Sequence, residues 1–168
     1  MIFSINRSSE RQQKFKWVGD FLKQNYYFLS LNSRKDIKIN HIKDVKGYIT
    51  GVVRDSFEHQ VLKKYGFSSP QNLHVNATQI PLLNSLFERK IDLIFGSKIN
   101  LLGTMDYIKR NRNDIKLIYQ INETPSNVSI AFSKKTDDKT VNHFRQAFAA
   151  IKSEGTLDKI MKKWLGTN

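Results

Sequence analysis

The 168-residue sequence predicts an α/β fold, because short apolar runs alternate with stretches of helical periodicity along most of its length. The clearest run, 91–97, is mostly apolar, as is typical of a strand buried on both faces. Between such runs, apolar residues recur on one helix face, as at Phe57, Val61 and Tyr65. This alternation predicts a mostly parallel sheet with right-handed crossovers.

The expected elements follow one another regularly. Strands are predicted over 26–32, 47–53, 72–77, 91–97, 115–121 and 127–135. A helix follows the second strand over 56–66, and Thr78 is expected to cap the next helix, in whose first turn Pro81 is tolerated. A further helix is marked by Leu101, Leu102, Met105 and Ile108. These elements together make a compact α/β body.

The C-terminal part of the sequence departs from this alternation. Acidic residues at Asp137 and Asp138 predict a helix start. Gly155 should end that helix, and Thr156 should cap the last one. Both helices carry wide apolar stripes, formed by Val141, Phe144, Phe148, Ile151, Leu157, Ile160, Met161, Trp164 and Leu165. Since nothing after residue 133 supplies a sheet, these stripes must pack on the rest of the chain or on a partner.

Composition predicts a soluble, globular chain of ordinary domain size. Hydrophobic residues make up 39% and charged residues 26%, which is enough apolar material for a core. No apolar run is long enough to cross a bilayer. Cysteine is absent, which excludes disulfides, thiolate metal sites and cysteine nucleophiles. The histidines show no metal-ligand spacing and read as surface or core residues, so neither a metal nor another cofactor is expected.

The chain is strongly basic, with 28 Lys and Arg against 15 Asp and Glu and a net charge of +13. Such a charge can indicate nucleic acid or an anionic membrane as partner. The lysines, however, are scattered along the chain, and no arginine-rich helix or arm is present. A solvated basic surface is therefore the favoured interpretation, and no nucleic acid is expected. Nor is catalysis, because no Ser/His/Asp arrangement, phosphate loop or carboxylate pair is visible.

Four segments, in the same order and spacing, resemble the bacterial extracellular (periplasmic) solute-binding proteins of the polar-amino-acid branch of ABC transporters. The most informative is the end of the chain, AFSKKTDDKTVNHFRQAFAAIKSEGTLDKIMKKWLG, with its Gly-Thr-Leu turn between two helices. The other three are SINRSSERQQKFKWVG, IKDVKGYITGVVRDSFEHQVLKKYGF and LFERKIDLIFGS. The resemblance covers essentially the whole chain.

The resemblance implies a periplasmic-binding-protein-like (type II) fold with one complete α/β lobe and a partial second lobe bearing two C-terminal helices. The complete lobe would span 33–123. Residues 1–23 and 134–168 would be a remnant of the first lobe, and 24–32 and 124–133 would be the hinge. Most of the N-terminal lobe, the opening portion of a full-length member, is expected to be absent.

The resemblance also implies three ligand-binding residues near the start of the chain. Arg11 would grip a ligand carboxylate, since a planar guanidinium donates two parallel charge-assisted hydrogen bonds. Ser4 and Asn6 would donate further hydrogen bonds, although Asn6 stands where the family usually has a hydroxyl. Alternatively, Arg11 is one of the many surface cations of this chain.

Three more ligand contacts are implied in the complete lobe. Asp55 and Ser56 match a Gly-Ser/Thr pair at a helix start, where free N–H groups attract a carboxylate. Asp55 departs from the glycine and would repel an anion, so the pair can equally be read as a helix cap. Ser97 matches the family's acidic partner for the ligand ammonium and cannot neutralise it. Asp92 matches a position that is taken as structural.

The implied function is non-enzymatic solute binding by closure of two lobes, in a component of an ABC-type amino-acid transport system or in a truncated or degenerate relative of one. The partners would be a small polar solute, most simply an amino acid whose binding is weak or lost, and a membrane permease. One alternative is a basic cytoplasmic protein that binds nucleic acid or a protein, and another is a dehydratase-like enzyme on the same fold. The family is periplasmic, but the first residues do not resemble a signal peptide, which predicts a cytoplasmic chain if Met1 is the true start. A homo-oligomer is also expected, because poorly covered apolar helix faces favour association.

Overall fold

The computed structural model describes residues 1–165, without the side chains of 122–126. The chain divides into two compact units. We call Met1–Gln24 with Ser126–Asn168 the terminal unit, and Asn25–Pro125 the central unit. The chain passes between them inside the two segments that the sequence predicts as hinges, 24–32 and 124–133. Their role as hinges remains a prediction.

Helices and strands make up most of the described chain. In chain order they are β1 (Ile2–Arg7), α1 (Ser9–Gln12), β2 (Phe15–Leu31), β3 (Thr50–Val53), α2 (Phe57–Lys64), β4 (Leu73–Asn76), α3 (Gln79–Phe87), β5 (Leu93–Ser97), α4 (Lys98–Tyr107), β6 (Ile115–Ser133), α5 (Asp138–Ser153) and α6 (Thr156–Leu165). Short 3-10 helices lie at Asp44–Gly47 and Arg112–Asp114. No helix in the part of the chain that the structure describes is long and apolar enough to span a membrane.

The central unit contains a mixed sheet in which β2, β5, β3 and β4 lie in that order. The strand β3 runs parallel to β4 and to β5, with Thr50 opposite both Leu73 and Leu93. Helical crossovers join these three strands, as the alternating pattern predicted. The expectation of a mostly parallel sheet is nevertheless wrong at β2, which runs antiparallel to β5. This strand enters the sheet without a crossover helix, so nothing constrains it to be parallel.

Two apolar clusters cover the two faces of this sheet. One contains Val61 and Leu62 of α2, and the other contains residues of α3 and α4 such as Leu86 and Met105. The strand β5 contributes to both, with Phe95 in the first cluster and Ile94 in the second. Successive side chains of a strand point to opposite faces, so β5 is buried on both sides, as its apolar run predicted.

In the terminal unit, β1 pairs antiparallel with the end of β6, where Ile5 lies opposite Ser129. The helix α5 packs on this unit through Phe148, whose ring lies directly over Gly19. A Cβ atom at Gly19 would approach Phe148 Cε1 to 2.3 Å. The absence of a side chain at this position therefore makes the close approach of the ring possible.

The apolar stripes of α5 and α6 are only partly covered. Of the predicted stripe residues, only Val141 and Phe148 are buried, and α6 buries none. Trp164 is 76% exposed and Ile160 is 47% exposed. Within the described residues, these two helices therefore keep exposed apolar side chains that are available to pack on a further surface.

Several element boundaries differ from those predicted. The strand predicted to begin at 26 begins at Phe15, and one strand over Ile115–Ser133 replaces the two predicted there. The strand predicted over 47–53 starts at Thr50, because a 3-10 turn precedes it. Thr78 occupies the N-cap position of α3, but its side chain makes no capping hydrogen bond. Gly155, with φ of 71°, separates the last two helices as expected.

Candidate functional site

The three predicted contacts of the terminal unit lie on β1 and α1. Asn6 is paired with Val128 in the sheet, and Arg11 lies on the short helix that follows. Arg11 Nη1 donates to the backbone carbonyl oxygen of Asn6 across 3.4 Å, which is long for a hydrogen bond. The structure therefore brings the guanidinium to the carboxyl end of β1, where the resemblance placed a carboxylate contact.

Ser4 has an unusual backbone conformation for a serine. Its φ is 68°, and it lies where the register between β1 and β6 shifts, between Ile2 and Ile5. Such an irregularity re-aims the side chains beside it. Ser4 itself is exposed. Its hydroxyl is therefore accessible on the same strand as Asn6, two residues away.

The three predicted contacts of the central unit lie at one edge of its sheet. Asp55 and Ser56 follow the carboxyl end of β3, and Ser97 is the last residue of β5. Because β3 and β5 are parallel neighbours, their carboxyl ends meet at the same edge. Ligands of open α/β sheets bind at this edge. The structure therefore brings these three residues together.

Both serines at this edge cap helices. Ser56 is the N-cap of α2, and its Oγ accepts a hydrogen bond from the backbone N–H of His59 across 3.1 Å. Ser97 is the N-cap of α4, and its Oγ accepts from the N–H of Asn100 across 3.3 Å. Ser97 is also only 1% exposed. Each hydroxyl oxygen thus already satisfies one helix amide, which agrees with the capping alternative for Ser56.

Asp55 adopts the left-handed backbone conformation, with φ of 55°. Glycine reaches this region at no steric cost, which is the physical reason for a glycine at such a turn, and aspartate is among the residues that tolerate it. The side chain of Asp55 is 86% exposed. An exposed carboxylate therefore lies at the edge where the resemblance implied an uncharged, anion-accepting turn.

The sequence did not single out His59, which organises this turn. Its Nδ1 accepts a hydrogen bond from the backbone N–H of Asp55 across 3.1 Å, so the ring proton is assigned to Nε2. Only 7% of the residue is exposed, and this burial lowers the pKa of His59, as does the nearby Lys63 ammonium. The sequence position of His59 could have indicated this role. It lies three residues after the N-cap Ser56, and a helix side chain at that position is directed back over the turn.

Asp92 has a structural role in the central unit. Its Oδ1 accepts from Arg34 Nη1 across 2.7 Å, and its Oδ2 accepts from the backbone N–H of Ile49 across 3.0 Å. Arg34 also pairs with Asp36, and these bonds raise the pKa of Arg34 while lowering the pKa of Asp36 to about 2. Asp92 thus ties three segments of the chain together, at the amino end of β5, away from Ser97.

Metal ligation finds no support in the described residues. Within 1–165, leaving aside the side chains of 122–126, no group of three or more histidine or acidic residues could hold a metal ion.

Comparison with known proteins identifies the family. The model of the bacterial extracellular solute-binding proteins, family 3, matches residues 1–167. The L-cystine-binding protein TcyA of Bacillus subtilis (strain 168) is 22% identical over 159 residues, covering 94% of this chain and 55% of that protein. The chain therefore spans about half the length of this curated relative.

Solved structures share the fold at low identity. The sensor domain of a histidine kinase with similarity to periplasmic binding proteins superposes with a TM-score of 0.82 at 16% identity, covering 98% of this chain and 68% of that one. The arginine-, lysine-, histidine-binding protein ArtJ of Geobacillus stearothermophilus gives a TM-score of 0.80 at 16% identity, covering 99% and 69%. The fold is thus periplasmic-binding-protein-like, and the chain belongs to the bacterial extracellular solute-binding proteins, family 3.

Proposed function

We propose that this chain binds a free amino acid through its α-carboxylate, as a non-enzymatic solute-binding component of an ABC-type uptake system. The observation that carries the proposal is the position of Arg11, whose guanidinium lies beside Asn6 at the end of β1. Two relatives are named for the amino acids that they bind, L-cystine in one case and arginine, lysine and histidine in the other. Their names support an amino acid as the solute class for this chain.

The chemistry of the terminal unit suits a carboxylate. A guanidinium presents a planar fork of donors that matches two carboxylate oxygens, and such bidentate pairs are among the strongest hydrogen bonds in proteins. The Asn6 amide and the Ser4 hydroxyl can donate further hydrogen bonds from the same strand. The long contact to the Asn6 carbonyl occupies one guanidinium nitrogen and leaves others to donate.

The central unit supplies less than an amino-acid binder needs. Ser97 carries no charge to neutralise an ammonium group, and its oxygen already accepts a helix amide. The exposed carboxylate of Asp55 disfavours a second contact to the ligand carboxylate. We therefore expect weak binding, with a dissociation constant above about 100 micromolar, since affinity depends on enclosing the ligand with paired polar groups.

Calorimetry tests the proposal. We expect the chain to bind at least one of L-arginine, L-histidine, L-glutamate and L-cystine weakly, and Arg11→Gln to abolish the heat of binding. Arg89→Gln, which removes an exposed arginine from the central unit, is the matched control and should leave the affinity unchanged. Equal affinities for the native chain and Arg11→Gln would remove Arg11 from the site and with it the proposal.

The location and partners follow from the same proposal. Family 3 is a family of extracellular proteins. We place the chain on the outer side of the cytoplasmic membrane, in the periplasm where the cell has one, and expect a membrane permease to receive its solute. Fractionation of cells that express the whole protein checks this, since recovery in the cytoplasm alone would contradict it.

Self-association is proposed from the last two helices. Trp164, Ile160 and Phe144 are all exposed on neighbouring helices, and large apolar patches favour pairing with another copy. Salt screens the repulsion between basic copies but changes apolar burial little. Light scattering at physiological salt should show a dimer or larger species that Trp164→Ser weakens, whereas a monomer at high micromolar concentration would overturn this proposal.

A further inference from the structure

A basic cleft of about 520 Å³ lies in the terminal unit. Its lining residues do not include Ser4, Asn6 or Arg11. Four basic side chains line it: Arg7 of β1, Lys16 of β2, Lys134 directly after β6, and Arg145 of α5. Among the residues that the structure describes, no acidic side chain lines it. Clefts of this size accommodate small-molecule ligands. Four cations, from β1, β2, α5 and the turn after β6, therefore converge on a space that a small ligand can enter.

Each arginine of the cleft is held in part by uncharged groups. The Arg7 guanidinium lies 5.2 Å from the ring centroid of Trp17, and its Nε donates to Gln12 Oε1 across 2.9 Å. Arg145 donates from Nε to the Trp17 carbonyl oxygen across 2.9 Å and from Nη1 to Asn142 Oδ1 across 2.8 Å. Trp17 is itself 8% exposed, so it anchors both contacts rigidly. Such pre-organisation lowers the entropic cost of binding.

The charges of the cleft are only partly neutralised within the chain. Arg7 contacts Asp20 across 3.4 Å, and Lys16 contacts Asp138 across 2.6 Å. Among the described residues, no carboxylate forms an ion pair with Arg145 or Lys134. Like charges that converge on one space repel one another, and an anion placed among them relieves the repulsion.

The cleft is distinct from the proposed amino-acid site. Arg11 does not line it. Side chains of a strand alternate between its two faces, so Arg7 points away from the face that carries Asn6. The cleft therefore uses a side chain of β1 that points away from the Asn6 side chain.

We propose that this cleft binds a small multivalent oxyanion, of the diphosphate or polycarboxylate class. Two oriented guanidinium groups suit bidentate contacts with phosphate or carboxylate oxygens, and the two lysines add point charges. A multivalent anion offers negative charge to both Arg145 and Lys134, which form no ion pair among the described residues, whereas an amino acid offers a single carboxylate. This difference separates the ligand class of the cleft from that of the Arg11 site. The inference does not rest on the proposed function.

Calorimetry with inorganic pyrophosphate and with citrate, at one ionic strength, tests the proposal on the full chain. We expect saturable binding at a single site, weakened roughly tenfold by Lys134→Gln or Arg145→Gln, which is typical of losing one charge-assisted partner. Among the described residues, the Lys134 side chain forms no hydrogen bond or ion pair, so Lys134→Gln separates binding from folding. Arg89→Gln lowers the net charge equally, and should change the affinity little.

Each outcome decides the matter. Binding of both anions supports the whole class, and binding of pyrophosphate alone supports a phosphate site. No saturable binding of either anion overturns the proposal. An equal loss of affinity in Arg89→Gln and Lys134→Gln also overturns the proposal, because the anions would then respond only to the overall charge of +13.

Discussion

The Nδ1 atom of the buried His59 accepts a hydrogen bond from the backbone N–H of Asp55 across 3.1 Å. A neutral imidazole therefore supports the turn in which Asp55 adopts the left-handed conformation. The backbone N–H of His59 in turn donates to the Ser56 hydroxyl. These two bonds occupy groups at the very edge where a ligand is expected. The turn is therefore satisfied internally, which explains why this edge offers a ligand few free donors.

The stability of the chain should depend on the protonation of His59. Burial, reinforced by the Lys63 ammonium, lowers its pKa, so the folded chain binds fewer protons than the unfolded chain. The free energy of unfolding should consequently fall as the pH drops below about 6.5, the usual value for histidine, and should level off below the folded-state pKa. Protonation also removes the acceptor for the Asp55 N–H.

Urea unfolding at pH 7.5 and at pH 5.5 measures this dependence. His59→Gln should lose part of the difference between the two conditions, whereas the exposed His143→Gln should retain it. The carboxylates with lowered pKa values, such as those of Asp36 and Asp137, titrate at lower pH and do not interfere. The same pH dependence in the native chain and in His59→Gln would contradict the role given to His59.

Two glycines should respond to alanine in opposite ways. At Gly19 a Cβ would meet Phe148 Cε1 at 2.3 Å, so Gly19→Ala should lower the free energy of unfolding by about 1–3 kcal/mol, as overpacking does. At Gly103, inside α4, nothing lies within 4 Å of the added carbon, and Gly103→Ala should raise it by about 0.5–1 kcal/mol. Denaturant titration measures the free energy of unfolding of both variants. Equal values for the two variants would show that α5 does not pack on Gly19.

Much of the central unit could be predicted from the sequence, because its elements follow periodic patterns. The apolar run ending at Ser97 identified a strand buried on both faces, and the spacing after Ser56 identified a helix. The direction of β2 could not be predicted, since alternation specifies which face of a strand is buried but not the direction in which it runs.

The candidate site was predicted in part. The resemblance indicated Arg11, Ser56 and Ser97, and the structure shows which groups these residues already engage. His59 supports the turn because its side chain folds back over the start of its own helix and accepts the backbone N–H of Asp55. A lone histidine in a sequence does not reveal this arrangement. The basic cleft was missed altogether, since Arg7 and Arg145 are distant along the chain and converge only through tertiary packing.

The most direct test of the amino-acid-binding proposal is an NMR titration of the isotope-labelled chain with L-arginine, L-histidine and L-glutamate into the millimolar range. We expect saturable shifts for at least one of them, clustered at Ser4, Asn6 and Arg11, with a dissociation constant above about 100 micromolar. These shifts should vanish in Arg11→Gln and persist in Arg89→Gln. Saturable shifts that are unchanged in Arg11→Gln, or the absence of any saturable shift in the native chain, would contradict amino-acid binding at this site.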